Sequence, residues 1–307
     1  MAYDTFTLPV VPPFRLDLTV WALRRRESNI VDRWDGRQYL RVFVVNNTPV
    51  KITVVSKKAM NKPQLVVALQ VKTGLTDRLR KDVHLLVQKM LGPTINLQSF
   101  YALSSKDDSL GPLAQQYRGV KPPRFPTIFE ALVNSICCQQ LTLDFGILMI
   151  NRLAENFGMG FTDGKITYRA FPRPEDLAIA SERDLKELGF SYQKVRAIRE
   201  LSINAANNRV DLTNLEELTN EEAIKFLSSL RGIGRWSAEY VLLRGLGRVD
   251  VFPGDDVGAK NNLQRLFHTD KKPGYEDIRE MTFRWHPFEG LVYFHLLLDK
   301  LHAKGIL

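Results

Sequence analysis

The sequence predicts an α+β protein: an N-terminal antiparallel sheet with one or two helices, then a region in which every long pattern is helical. Two observations carry the class. Residues 39–45, 51–55 and 64–71 alternate apolar and polar in the strand manner, and from Thr127 onward apolar residues recur at helical spacing. A third bounds the size. With 307 residues and 44% hydrophobic content the chain can build two or three cores. The division is placed at 1–112 for the sheet domain and 113–307 for the helical region.

Taken in order, the strands are separated by turn signals at Asn46-Asn47 and Asn61-Lys62-Pro63. A helix fits residues 76–90, with Leu79, Val83, Leu86 and Met90 on one face. Residues 104–126, rich in Lys, Asp, Gly and Pro, read as a connection over the surface. A buried-looking helix then runs over 129–138 and breaks at Gln139-Gln140. The two cysteines, Cys137 and Cys138, are adjacent in that apolar run. Their side chains diverge, so neither a disulfide nor a four-ligand metal site is expected, and both read as small buried hydrophobes.

The most informative stretch is 230–260, LRGIGRWSAEYVLLRGLGRVDVFPGDDVGAK. Upstream, Thr219-Asn220-Glu221-Glu222 fits a capping box, and Ala223, Phe226, Leu227 and Leu230 share a helical face. Gly232 and Gly234 break that pattern and permit positive φ. A second helix starts near Arg235, carries Trp236, Tyr240 and Leu243 on one face, and ends at Gly245 or Gly247. Such a hairpin is either an ordinary corner between helices or a place where uncovered amides meet an anionic phosphate. Next comes Val249-Asp250-Val251-Phe252-Pro253-Gly254, and Asp255-Asp256 then head a helix over 257–267. One aspartate reads as an N-cap, and the other is free to point into a cleft.

Net charge of +9 and a pI near 9.5 favour a polyanionic partner. The start, MAYDTFTLPVV, lacks the basic n-region and apolar core of a signal peptide, and LVYFHLLL is too short to span a bilayer. A cytoplasmic protein, associated with the nucleoid while it acts on DNA, is expected.

The hairpin GIGRWSAEY followed by FPGDD resembles the HhH-GPD superfamily of DNA glycosylases, and most of all the bacterial 3-methyladenine DNA glycosylase II family. FTLPVVPPFRLDLTVWALRRR is similar to that family's opening strand, Pro-Pro turn and first helix. FPTIFEALVNSICCQQLT and RWHPFEGLVYFHLL are similar to its middle and last segments. The resemblance implies two helical subdomains with the active-site cleft between them. It implies a monofunctional enzyme that hydrolyses the N-glycosidic bond of alkylated purines in base excision repair. Asp256, twenty positions beyond Trp236, matches the catalytic aspartate, with Asp255 as its structural partner.

Trp236 stands where lyase-competent relatives carry a lysine, so the sugar-attacking amine is missing there. Trp236 and Tyr240 match aromatic positions of the base pocket; at this spacing they also read as a plain core stripe. Gln140 matches the residue inserted into the DNA stack, and equally reads as a helix-end cap; for Gln139 the structural reading is favoured. Gly232, Gly234, Arg235 and Lys260 are the candidates for DNA phosphate contact, and Arg244 reads equally as a structural ion-pair residue. Two departures bear on substrate range: Glu289 replaces a basic residue, and Leu297 falls where a second pocket tryptophan stands. No cofactor is expected, because four cysteines for an iron–sulfur cluster are absent; a monovalent ion at the hairpin is compatible with the resemblance once DNA is bound. The expected partner is double-stranded DNA carrying a damaged base, with no membrane and a monomeric state.

Two other readings stand beside this one. An oxidised-purine glycosylase with lyase activity is disfavoured by Trp236. A non-catalytic lesion-binding protein is disfavoured by Asp256, since binding alone gains nothing from a carboxylate near phosphates.

Overall fold

The computed structural model describes residues 1–59 and 62–307. The sheet has five antiparallel strands in the order β1-β5-β4-β3-β2, where β1 is Ala2–Pro9, β2 Arg33–Trp34, β3 Gln38–Val45, β4 Thr48–Ala59 and β5 Lys62–Val71. Its pattern has the period of two that one covered face demands: Val50, Ile52 and Val54 on β4, and Leu65, Val67, Leu69 and Val71 on β5, are fully buried. The β3–β4 turn is the expected Asn46-Asn47 pair, both with positive φ (48° and 61°), as a two-residue hairpin requires. The second expected turn includes Asn61, which lies outside the described residues.

Helix α1 (Leu16–Arg24) follows β1, and α2 (Asp77–Leu91) follows the sheet, capped by the Thr76 hydroxyl accepting from the Leu79 N–H. Then come α3 (Gln98–Ser104), α4 (Leu110–Gln116), α5 (Ile128–Cys138) and α6 (Leu143–Phe157). The expectation of a surface connection over 104–126 fails. That segment contains α4, on which position 112 falls, and Leu113, Tyr117, Val120, Lys121 and Phe125 are buried. Its polar residues misled because they bond inward: the Lys121 ammonium donates to the Ile95 carbonyl at 2.5 Å.

The helical half also carries a β-hairpin that the helical reading lacks, β6 (Gly160–Asp163) and β7 (Ile166–Arg169). It sits against the sheet, with Lys51 of β4 paired to Asp163 and Phe161 packed on Val42. Four-residue strands are too short to show a period in the sequence. The remaining helices are α7 (Pro174–Ala178), α8 (Glu182–Glu187), α9 (Tyr192–Ala206), α10 (Asn220–Ser228), α11 (Arg235–Val241), α12 (Val257–Leu266), α13 (Tyr275–Phe283) and α14 (Glu289–Ala303).

Apolar packing forms two large cores. One joins the sheet and α2 to α5, α6, α9, α10 and α11; the other joins α3 and α4 to α12, α13 and α14. Helix α1 serves both, with Leu16, Val20 and Leu23 in the first and Leu18 and Ala22 in the second. The sheet is locked to α5 by a buried ionic network. Arg41 of β3 donates to Asp32 (2.7 Å) and to both Glu130 oxygens (2.6 Å), and Tyr39 donates to Asp32 at 2.7 Å. Removing one partner of such a network strands the others without solvent. Arg41→Met should therefore cost about 3–5 kcal/mol of stability, read by chemical denaturation; a loss below about 1 kcal/mol would show that the network does not hold the two parts together.

Candidate active site

A cavity of about 1010 Å3 lies at the seam between the two cores. From the first core Ile136, Trp236 and Tyr240 line it; from the second, Ala259, Tyr293 and Leu296. Asp255, Asp256, Gln139, Gln140, Gly232 and Leu297 are also in its wall.

Asp256 performs both tasks that the sequence divided between two aspartates. Its Oδ1 caps α12 by accepting from the Ala259 N–H at 2.8 Å. Its Oδ2 faces the cavity, 3.3 Å from the Trp236 indole N–H and 3.3 Å from the Tyr293 hydroxyl. Burial and then the Asp256 charge push the Tyr293 hydroxyl well above its usual range, so it stays a donor. Space is tight: a Cβ on Gly258 would stand 3.0 Å from Asp256 Oδ1 and 3.4 Å from Lys300 Nζ. Asp255, in contrast, is exposed and pairs with Lys260 at 3.0 Å. A surface pair of this kind contributes little, so Asp255 is no structural support.

The turn before Asp256 is held from beneath. Glu239 of α11 accepts from the Gly254 N–H at 3.1 Å and the Tyr275 hydroxyl at 2.5 Å, and burial pushes its carboxyl up to about 7. Arg235 is exposed and lies over the Tyr275 ring, 4.5 Å from its centroid.

The hairpin is built as the pattern suggested, with the full capping box at Thr219 and Glu222. Only Gly232 takes positive φ (+77°), and a Cβ there would meet Ala197 at 2.8 Å. Gly234 is the N-cap of α11 at φ −97°, with open space beside it. It is thus not needed for a left-handed turn; what its missing side chain provides is access. Neither glycine N–H has an acceptor among the described residues. Helix α11 runs through a π-helical turn, Leu242–Leu246, and stops at Gly247.

Gln139 is structural, as expected: its amide donates to the Gly232 carbonyl (2.7 Å) and the Ser237 hydroxyl (2.8 Å), tying α5 to the hairpin. Lys194 caps the same helix end by donating to the Cys137 and Gln139 carbonyls (3.2 and 2.8 Å). Gln140 is left exposed with φ +54°, a strained tip at the cavity rim and not a cap. Cys137 is a buried hydrophobe, but Cys138 is only partly buried and belongs to the cavity wall.

Several residues here were not legible in sequence. Tyr293 lay inside an apolar run with no local signal. Arg25, in a string of three arginines, is the left-handed C-cap of α1 (φ +61°), and its guanidinium reaches Tyr240 and Asn134. Among the described residues Arg244 makes no ion pair; it donates to the Ala22 and Leu23 carbonyls (2.7 and 3.2 Å), capping α1 from across the seam. Glu289 is buried beside His286 at 2.9 Å, and Leu297 does face the cavity. Among the described residues no group of three or more His, Cys, Asp or Glu side chains could hold a metal ion, and no helix is long and apolar enough to cross a membrane.

Residues 133–287 match the model of the HhH-GPD superfamily base excision DNA repair protein, and the chain belongs to that superfamily. Over nearly its whole length it is similar to a putative DNA-3-methyladenine glycosylase of Bacillus subtilis, 28% identical over 282 residues, covering 91% of this chain and 93% of that one. A DNA-3-methyladenine glycosylase from the same organism is 25% identical over 292 residues, 94% of each chain. The fold is shared with a 3-methyladenine DNA-glycosylase from Archaeoglobus fulgidus at a TM-score of 0.82, 24% identity, covering 95% of this chain and 97% of that one.

The open flank of Gly234 makes a clean test of the hairpin. Gly234→Val should fold normally and weaken binding to abasic-site duplex of any sequence alike, because it blocks a backbone and not a base edge. Undiminished binding by a folded variant, in a fluorescence titration, would make the hairpin a mere corner.

Proposed function

We propose that this protein is a monofunctional DNA glycosylase that hydrolyses the N-glycosidic bond of alkylated purines of the 3-methyladenine type in double-stranded DNA. The observation that carries the reading is the Asp256 carboxylate, held between a helix N-terminus and two pocket donors and presented to a cavity walled by Trp236 and Tyr240. The family, and the names of two relatives that match nearly the whole chain, support the substrate class.

The chemistry follows from that placement. Gly232, Gly234 and Arg235 hold the backbone of the damaged strand, Gln140 enters the stack, and the lesion turns into the cavity. A purine alkylated on a ring nitrogen is cationic and leaves readily, so little protonation is needed. The aromatic faces of Trp236 and Tyr240 receive it. As the C1′–N bond breaks, positive charge develops on the sugar, and Asp256 stabilises it and orients the attacking water. Water adds its oxygen to C1′ and releases a proton, leaving an abasic site in an intact strand. The N–H and O–H donors at Oδ2 limit the carboxylate's own nucleophilicity, which suits electrostatic work more than covalent attack.

Asp256→Asn should retain binding to lesion duplex and lose roughly 100- to 1000-fold in single-turnover base release, the range for removal of a preorganised electrostatic stabiliser. Release at the wild-type rate would sink the mechanism. Because position 236 carries tryptophan where an amine would be needed, borohydride should trap no substantial protein–DNA adduct; a high yield would instead assign a lyase.

A further inference from the structure

The turn that delivers Asp256 is clamped from below by a carboxyl that bonds to no cation among the described residues. Glu239 of α11 is 3% exposed, and both its oxygens are in use. Its Oε2 accepts from the Gly254 N–H at 3.1 Å and its Oε1 from the Tyr275 hydroxyl at 2.5 Å. Tyr275, at the start of α13, closes the clamp from the other side. A Cβ on Gly254 would stand 2.9 Å from two carbons of its ring, so the chain crosses the ring with no room to spare. The Asp256 N–H then donates to the Pro253 carbonyl at 3.0 Å, closing the turn just where Asp256 caps α12. Gly254 is thus fixed by one hydrogen bond and one ring contact, and Asp256 takes its direction from that point.

Facing Glu239 are Tyr275 from α13, the Gly254 amide and Asp255 from the turn, and Arg235 from its own helix, whose guanidinium lies over the Tyr275 ring. Burial pushes the carboxyl up to about 7; the two donors and Arg235 pull it down, and Asp255 adds to the rise. While the carboxyl is ionised, both of its hydrogen bonds are charge-assisted. A proton on either oxygen meets a hydrogen already pointing there. On Oε2 it opposes the Gly254 N–H; on Oε1 it turns the Tyr275 hydroxyl, which has no other acceptor among the described residues. We propose that Glu239 is the positioning residue for Asp256: ionised, it clamps the Pro253-Gly254 turn on Tyr275 and aims Asp256 Oδ2 into the cavity, and taking up a proton loosens the clamp and slows base release. Glu239 is not part of the cavity wall and acts through Asp256.

Stability and activity then run in opposite directions with pH. The folded carboxyl titrates near 7, the unfolded one near its ordinary 4.5. Between those values the folded protein binds the extra proton, so this group's contribution to stability declines as pH rises through the window and stays low above it. A carboxyl kept for stability alone would serve better as an amide. One kept to hold Asp256 becomes useful only as it ionises. A duplex phosphate at the hairpin adds negative charge nearby, so the midpoint in the DNA complex lies at or above that of the free protein.

This inference rests on Asp256 as the working carboxylate, and the test separates the two. Single-turnover release of 7-methylguanine from duplex DNA is measured from about pH 5.5 to about pH 9 for wild type, Glu239→Gln and Tyr275→Phe. Glutamine has the shape of the protonated acid and cannot ionise, and every other titrating group is common to both proteins and cancels in the ratio of their rates. That ratio, wild type over Glu239→Gln, should be near one at the acid end and rise to about 5- to 10-fold at the alkaline end, the gap between a charge-assisted and a neutral hydrogen bond. Tyr275→Phe keeps the ring under Gly254 but removes a donor that lowers the carboxyl, so the acid limb of its profile should move to higher pH. Chemical denaturation should show Glu239→Gln gaining stability on wild type over the same rise in pH. A ratio flat across the range, or a Glu239→Gln protein that loses stability and rate together as pH rises, would overturn the proposal and reduce Glu239 to a structural contact. Asp256→Asn reports separately: release at the wild-type rate sinks the glycosylase reading, whereas an inactive Asp256→Asn beside a flat ratio sinks this inference alone.

Discussion

The Arg41 network is the constraint on which the site depends. Asp32, Arg41 and Glu130 have side chains between 1% and 5% exposed, and together they fix the sheet to the first turns of α5. Everything at the far end of α5 inherits that register. Gln139 clasps the hairpin, Gln140 stands at the rim, and Asn134, one turn beyond Glu130, meets Arg25. A sheet none of whose described residues lines the cavity thereby sets where its wall stands. A low dielectric makes each broken member of such a network expensive, which is why it can hold geometry over this distance.

The site itself is a seam phenomenon. Two cores meet along α1 and the π-helical turn, and Leu242 and Leu243, adjacent in sequence, belong to different ones. A π turn shifts the register of the side chains that follow it, and here it places Arg244 against the end of α1. The cavity is the gap left where the two apolar layers cannot interdigitate. Its polar residues come from the ends of α1 and α5 and from α6, α9, α11, α12 and α14, so no single element positions the set.

On the proposed function, Asp256 is one carboxylate serving structure and chemistry together. One oxygen is spent on the helix cap, which removes rotational freedom, so the other is delivered to the cavity in a fixed direction. Such preorganisation is what electrostatic catalysis requires, since no reorganisation is left for the moment of reaction.

Much of this was legible in the chain. Strand alternation, the Asn46-Asn47 turn, the capping box at Thr219, the glycine hairpin and the helix after Asp256 are local patterns with local causes, and residues a few positions apart carry them. Trp236 and Tyr240 were placed on one helical face by spacing alone. What failed was of another kind. Residues 104–126 look polar yet many of them are buried, and Lys121 finds its acceptor in the Ile95 carbonyl; Asp255, expected as the partner of Asp256, and Lys260, expected at a phosphate, meet in a surface pair. Arg25, Arg244 and Tyr293 carry no signal, since their roles exist only where α1, α11 and α14 converge, and periodicity reports which face of a helix is apolar but not which helix it will meet. The sequence by itself determined most of the elements, the family and the candidate aspartate; the tertiary structure alone decided which oxygen of that aspartate faces the cavity, through Trp236 and Tyr293 on two different helices, and which cations lie beneath it, through contacts between residues more than two hundred positions apart.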